Sequence, residues 1–219
     1  MTANLYNQHL LHLRSHLNRL HAMLDRLPLK DVEGFIDLLI AANAEGRTIF
    51  VFGNGGSAAT ASHFARDLVK SSISPGVSPF RVVVLNDNLP LITARADDVA
   101  YEEVFAEHLN AAVRPDDVVI AISRDGNSEK VLLAIRLANE RGATTVGMCG
   151  LDGGQLKNVV DLSVHVPHFN MEQVEDAHLI LERMICAILR AELRAQAVVR
   201  AEGGVIYPEL AGASTLTGL

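Results

Sequence analysis

Two short stretches of this 219-residue chain carry residue types suited to gripping an anion. The first is Gly53-Asn54-Gly55-Gly56-Ser57, which leads straight into helix-forming sequence. Glycines in such a loop admit positive φ and let the backbone come close to a ligand. The helix start adds unpaired amide donors and a partial positive charge, so an anion is favoured there. The second is Ser123-Arg124-Asp125-Gly126-Asn127-Ser128, whose hydroxyls and amides suit phosphate oxygens. Asp125 has the wrong charge for that task. Either Arg124 offsets it by forking onto phosphate oxygens, or Asp125 faces solvent and Gly126, Asn127 and Ser128 do the holding. Each loop alone would also serve as a plain strand-to-helix turn with capping serines; two at successive crossovers favour a ligand. The first loop reads G-N-G-G-S-A, so the dinucleotide fingerprint GxGxxG is absent, and no GKS or GKT follows it. No nucleotide cofactor is expected.

The elements that must position these loops follow from periodicity. Leu5, Leu10, Leu11, Leu13, Leu17, Leu20, Met23, Leu24 and Leu27 recur at three- and four-residue spacings and predict a helix. Pro28 punctuates it, and Asp31 is placed to cap a second helix through Ala44. The period then changes. Runs over 48–52, 81–85, 117–122, 144–148 and 162–166 read as five strands. Helices are predicted over 57–69, 90–96, 101–113, 128–141 and 173–198. Strands alternating with helices imply a parallel sheet covered on both faces. In such a sheet ligands sit at the carboxyl ends of the strands, where both loops fall.

Composition narrows the partners. Hydrophobic residues make up 49% and charged residues 21%, as in a packed globular protein. A net charge of −7 argues against a nucleic-acid backbone or an anionic membrane as the main partner. Cys149 and Cys186 sit in apolar runs and read as buried thiols. The polar N-terminus with His9, His12 and His16 does not read as a signal peptide, and no run approaches the ~18 apolar residues of a membrane span. A cytoplasmic setting is the expectation.

The run Ile49 to Ala59, with His63-Phe64-Ala65 and Asp67-Leu68 after it, resembles the sugar isomerase (SIS) fold of bacterial phosphoheptose isomerases. Ile120-Ala121-Ile122-Ser123 with Gly126-Asn127-Ser128 and Val131-Leu132 resembles that family's second, phosphate-binding loop. Leu151-Asp152-Gly153-Gly154 and Val174-Glu175-Asp176-Ala177-His178-Leu179 fall in family order. The resemblance implies an α/β fold: a five-stranded parallel sheet flanked by helices, a Rossmann-like three-layer sandwich with an N-terminal helical arm. It divides the chain into an arm (1–45), a phosphosugar-binding domain (46–200) and a tail (201–219). It also implies a homotetramer joined through the Leu-rich N-terminal helices.

The same resemblance implies isomerisation of sedoheptulose 7-phosphate to an aldoheptose 7-phosphate. That exchange needs a base beside the carbonyl, an acid at the oxygen and stabilisation of an enediolate. Family members place a glutamate on the helix after the first loop and a histidine on the last long helix. Some bind zinc there, adding a histidine from the first helix and a glutamine from the last. Carried over, His63, Asp67 and Glu175 are the implied metal ligands and Zn2+ the implied metal. Asp67, Glu175 and His178 are the implied proton-handling groups. Implied substrate contacts are Asn54, Gly55, Gly56 and Ser57 in the first loop, Ser123, Arg124, Asn127 and Ser128 in the second, and Asp97 and Arg183 elsewhere. Two positions depart from the pattern. Asp67 replaces the family's glutamate, and Arg183 takes the place of its histidine; arginine stays protonated and neither ligates metal nor shuttles protons. Shifting the alignment by a turn brings in His178 and Glu182, at i+3 and i+7 from Glu175. The alternative function on this scaffold is a non-catalytic phosphosugar-binding or regulatory protein, resembling the SIS protein that assists the replication initiator.

Overall fold

The computed structural model describes residues 2–98 and 100–201. Five strands, β1 (Thr48–Gly53), β2 (Arg81–Val84), β3 (Val118–Ser123), β4 (Thr144–Cys149) and β5 (Leu162–His165), form one sheet in the order β2-β1-β3-β4-β5. Every pairing is parallel. β3 is buried along its whole length, as a central strand covered on both faces must be.

The helices are α1 (Thr2–Leu24), α2 (Leu29–Ala44), α3 (Gly56–Ser71), α4 (Leu89–Asp98), α5 (Val104–Asn110), α6 (Glu129–Glu140), α7 (Leu156–Val159) and α8 (Met171–Ala201). They sort the core into two layers. On one face Phe35, Leu39, Phe64, Leu68, Leu181 and Ile185 from α2, α3 and α8 meet Ile49, Val51 and Ile120. Phe35 and Phe64 meet edge-on with ring centroids 6.0 Å apart. On the other face Phe105, Leu109, Leu132 and Ile135 from α5 and α6 meet Phe50, Phe52 and Val119. Alternate residues of β1 therefore point into opposite layers.

Three expectations shift. Pro28, not Asp31, precedes the first residue of α2, and Asp31 lies within its first turn. Proline pre-sets the backbone there without needing a partner for its nitrogen. The helix expected over 101–113 splits into a 3-10 turn at Tyr101–Glu103 and the shorter α5. The single turn α7 adds an element that periodicity does not predict, because a four-residue helix is too short to show a period. α2 packs its buried side chains into the sheet's own core. α1 does not: Leu13 is 62% and Leu17 61% exposed. Its C-terminal end is anchored by buried Met23 and by a hydrogen bond from Gln173 Nε2 to the His16 carbonyl, 3.0 Å. Both cysteines are buried and unpaired. Among the described residues no helix is long and apolar enough to cross a membrane. The expected tail beyond Ala201 lies outside the described residues.

Candidate active site

β1 and β3 are neighbours, but the chain leaves them toward opposite edges of the sheet: β1 connects outward to β2 and β3 to β4. That divergence opens a crevice beyond their carboxyl ends. A cleft of about 230 Å³ occupies it, lined by Asn54, Gly55, Gly56 and Ser57 from the first loop and Ile122, Ser123, Arg124, Asp125 and Ser128 from the second, with Glu175 of α8.

The loops are held by their own side chains. Asn54 Nδ2 donates to Ser128 Oγ at 2.8 Å, tying one loop to the other. Asn86, just past β2, donates to the Gly53 carbonyl at 2.6 Å and accepts from the Gly53 amide at 3.1 Å. Gly55 has φ of 53°, the turn that aims the head of α3 at the cleft. A β-carbon on Gly56 would stand 2.6 Å from Glu175 Oε2, so α8 approaches the loop backbone directly. In the second loop Asp125 Oδ1 accepts from the Asn127 amide at 3.0 Å and from Ser123 Oγ at 3.4 Å. Its charge is thus engaged by its own turn, although the residue borders the cleft. Asn127 is exposed and turned away: its Oδ1 accepts from the Gln155 amide at 3.1 Å. Asp97 is exposed on α4 and is not among the cleft residues.

α3 and α8 pack side by side in the same direction. Gly56 meets Glu175, His63 meets Glu182, Asp67 meets Arg183 and Ser71 meets Cys186, so contacts advance together along both helices. Gly56 and His63 share a heptad spacing, as do Glu175 and Glu182, which places each pair on one seam. His63 Nδ1 lies 3.0 Å from Glu182 Oε1 and His63 Nε2 3.8 Å from Asp67 Oδ2. Asp67 Oδ1 accepts from Arg66 Nε and Nη2 at 3.0 and 2.8 Å, and Oδ2 accepts from Arg183 Nη1 at 2.7 Å. Arg183 Nε stands 3.6 Å from Glu182 Oε1. Glu182 is fully buried, and neither carboxylate oxygen has a hydrogen bond; the His63 nitrogen is near but not in line.

These contacts set the protonation. Burial, and then the Asp67 charge, pushes the Glu182 carboxyl up to about 7, against the pull of Arg183 and Arg66. Burial, then the Arg183 and Arg66 charges, lowers the His63 pKa, so its imidazole is neutral near pH 7. Burial disfavours the Asp67 carboxylate, but the Arg66 hydrogen bond and the two guanidinium charges outweigh it and hold Asp67 below its ordinary value.

The fold therefore brings His63 and Asp67 together as the sequence implies, but with Glu182 completing the cluster of potential donors; these three lie within 4.8 Å of one another. Glu175, the implied third ligand, sits instead at the cleft, 3.7 Å from Arg124 Nη1. The physical reason is the seam: one heptad separates the glutamate at the loop from the glutamate at His63. His178 is 1% exposed, turned inward beside the Cys149 backbone, with neither ring nitrogen in a hydrogen bond. Burial lowers its pKa to about 4. It does not line the cleft. Sequence reasoning underweights Glu182 and misses Arg66; the i, i+7 spacing from Glu175 is the one available signal for the former.

The chain is similar to known proteins in sequence and in fold. The SIS domain family matches residues 14–150. The phosphoheptose isomerase of Geobacter metallireducens is 35% identical over 181 residues, covering 83% of this chain and 95% of that one. That of Mycobacterium tuberculosis is 39% identical over 156 residues, 71% of this chain and 79% of its own. The structure of the Neisseria gonorrhoeae phosphoheptose isomerase superimposes with a TM-score of 0.76 at 25% identity, covering 82% of this chain and 97% of that one. By sequence identity over more than two thirds of its length and by fold, this chain belongs to the phosphoheptose isomerase family of SIS-domain proteins.

Proposed function

We propose that the chain isomerises a ketose phosphate, sedoheptulose 7-phosphate, to an aldoheptose 7-phosphate. The observation that carries this reading is the convergence of both phosphate-type loops on one cleft at the head of the helix that bears His63. The phosphate sits against the amides at the start of α3 and the hydroxyls of Ser57, Ser123 and Ser128. Arg124 screens Glu175 and adds positive charge at the rim. From Gly56 to His63 the helix rises about 10 Å, the scale of a seven-carbon chain lying along it.

At the far end His63 is the proton carrier. It is neutral near pH 7, and its side chain is 19% exposed. Glu182 faces Nδ1 and selects which nitrogen carries the proton. Asp67 is the base that the resemblance implies, but both of its oxygens hold arginines; its role here is to fix Arg183 and Arg66. Glu175, at the cleft, binds substrate hydroxyls. His178 packs behind the site as a neutral imidazole. A homotetramer assembles through α1, whose Leu10, Leu11, Leu13 and Leu17 are exposed in the single chain.

The Arg183–Asp67 pair also favours a second reading, in which the site binds a phosphosugar without turnover, because it removes a carboxylate from proton transfer. Incubation of the purified protein with sedoheptulose 7-phosphate, with zinc and with a chelator in parallel, separates the two. We expect conversion, and a loss in kcat of about 10²–10⁴-fold for His63→Ala. Saturable binding with no turnover across a panel of ketose phosphates would establish the second reading instead.

A further inference from the structure

We propose that the seam between α3 and α8 is a metal-independent site, in which the Arg183 guanidinium supplies the fixed positive charge that a bound dication would bring. That use of the guanidinium rests on the isomerase reading; the exclusion of a metal rests on geometry and charge alone.

His63, Asp67 and Glu182 are a donor set that zinc accepts in type, one imidazole nitrogen and two carboxylates. Their surroundings are what a dication does not accept. Asp67 offers no unengaged oxygen: Oδ1 is shared by two nitrogens of Arg66, and Oδ2 is 2.7 Å from Arg183 Nη1. A metal taking Asp67 as ligand would have to displace a guanidinium and then sit beside it. Arginine cannot lose its proton to relieve the repulsion. The charges of the cluster already cancel without a metal. Even with both carboxylates ionised, Asp67 and Glu182 are balanced by Arg66 and Arg183, so no negative charge remains for a dication to neutralise. Glu175, the implied third ligand, is held away from the cluster, at the cleft beside Gly56 and Arg124.

The buried oxygens of Glu182, which lack hydrogen bonds, are the one feature that invites a cation. Two nitrogens already face one of them, Oε1: His63 Nδ1 at 3.0 Å and Arg183 Nε at 3.6 Å. A small rotation of either satisfies Oε1 without an ion, and a proton on the carboxyl leaves Oε2 no charge for an ion to neutralise.

Arg183 is suited to the substitute role. Asp67 fixes one side of its head, while the side chain is 54% exposed and so reaches the open side of the seam. A guanidinium offers a planar fork of donors with delocalised charge, which suits an enediolate oxygen. Because Asp67 orients it in advance, little is lost in ordering it during the reaction.

The test is metal content and zinc response of the untagged protein, which read no turnover and so stand apart from the isomerase assay. After dialysis against zinc chloride and then metal-free buffer, we expect far less than one zinc per wild-type chain by elemental mass spectrometry. We expect no rise in melting temperature with zinc and no fall with chelator. Arg183→His removes the charge and adds a ligand; it is expected to retain zinc near one per chain, with a melting rise on the order of 5 °C. Arg183→Gln removes only the charge and serves if the histidine variant does not fold; it is expected to bind zinc more weakly but measurably. Near-stoichiometric zinc in the wild type, or a wild-type zinc response equal to that of Arg183→His, overturns the proposal. So does the absence of zinc binding in both variants, since Arg183 would then not be what excludes the metal.

Discussion

Glu182 is a carboxyl group buried away from solvent, with no hydrogen bond and a neighbouring carboxylate, which is the setting that keeps a proton on an acid. Its pKa rises from an ordinary 4.5 to about 7 in the folded chain. The sign of the consequence is fixed by linkage. Between those two values the folded state holds a proton that the unfolded chain has released, so stability is fullest below pH 4.5 and is lost as pH rises through 7. The amount is on the order of 3 kcal/mol. Glu182→Gln keeps the shape and cannot ionise. Urea denaturation at pH 5 and pH 8 should show the wild type losing stability across that interval. The glutamine variant should lose markedly less and be the more stable of the two at pH 8. Equal pH dependence in both proteins would mean that Glu182 is ionised in the fold.

At the level of elements, the site is two loops and one helix pair. The loops are short turns whose geometry depends on particular glycines. Gly126 has φ of 67°, and a β-carbon there would collide with the Gly153 carbonyl. Gly126→Ala therefore meets both a left-handed backbone and a steric block, each of which must be relieved by moving the second loop away from the Gly153–Gly154 turn. A loss of about 2 kcal/mol or more is expected, read as a lower midpoint in thermal or urea unfolding, together with a raised KM for the phosphosugar. An unchanged KM would place the phosphate away from this loop. The helix pair α3 and α8 is legible in the sequence as two helices, and His63 with Asp67 as one face through their i, i+4 spacing. Which glutamate of α8 stands opposite that face is not legible there. Glu175 and Glu182 lie on the same stripe, so only the slide of one helix along the other chooses between them.

Across the whole molecule, the most conspicuous surface is α1. Its leucines have the spacing of a packed helix, yet Leu10, Leu11, Leu13 and Leu17 are all exposed in the single chain. An apolar face of this kind marks an interaction surface. The family resemblance, which implies a homotetramer joined through these helices, favours other copies of the same chain as the cover. Wild-type protein at micromolar concentration should scatter light as an oligomer, and the paired substitution Leu13→Glu with Leu17→Glu should lower the mass without lowering the helix content of the monomer. A wild-type monomer would remove this role for α1.

Strand runs, helix periods and the two glycine- and serine-bearing loops are local features, set by residues adjacent in the chain. For that reason the amino-acid sequence by itself determines the parallel α/β fold and the anion cleft. The cluster farther along the α3–α8 seam is not local. His63 and Asp67 are separated from Glu182 and Arg183 by most of the domain, and their roles depend on ångström-scale pairing between helices. Asp67 reads in sequence as a free base beside a histidine; in the fold its two oxygens hold Arg66 and Arg183. Glu182 enters the sequence reading only through its i+7 spacing from Glu175; in the fold, burial raises its pKa to about 7. Helix type and loop chemistry follow from sequence because backbone preference is a short-range effect. Register, burial and ion pairing follow from packing, and they decide which of the candidate residues share a site.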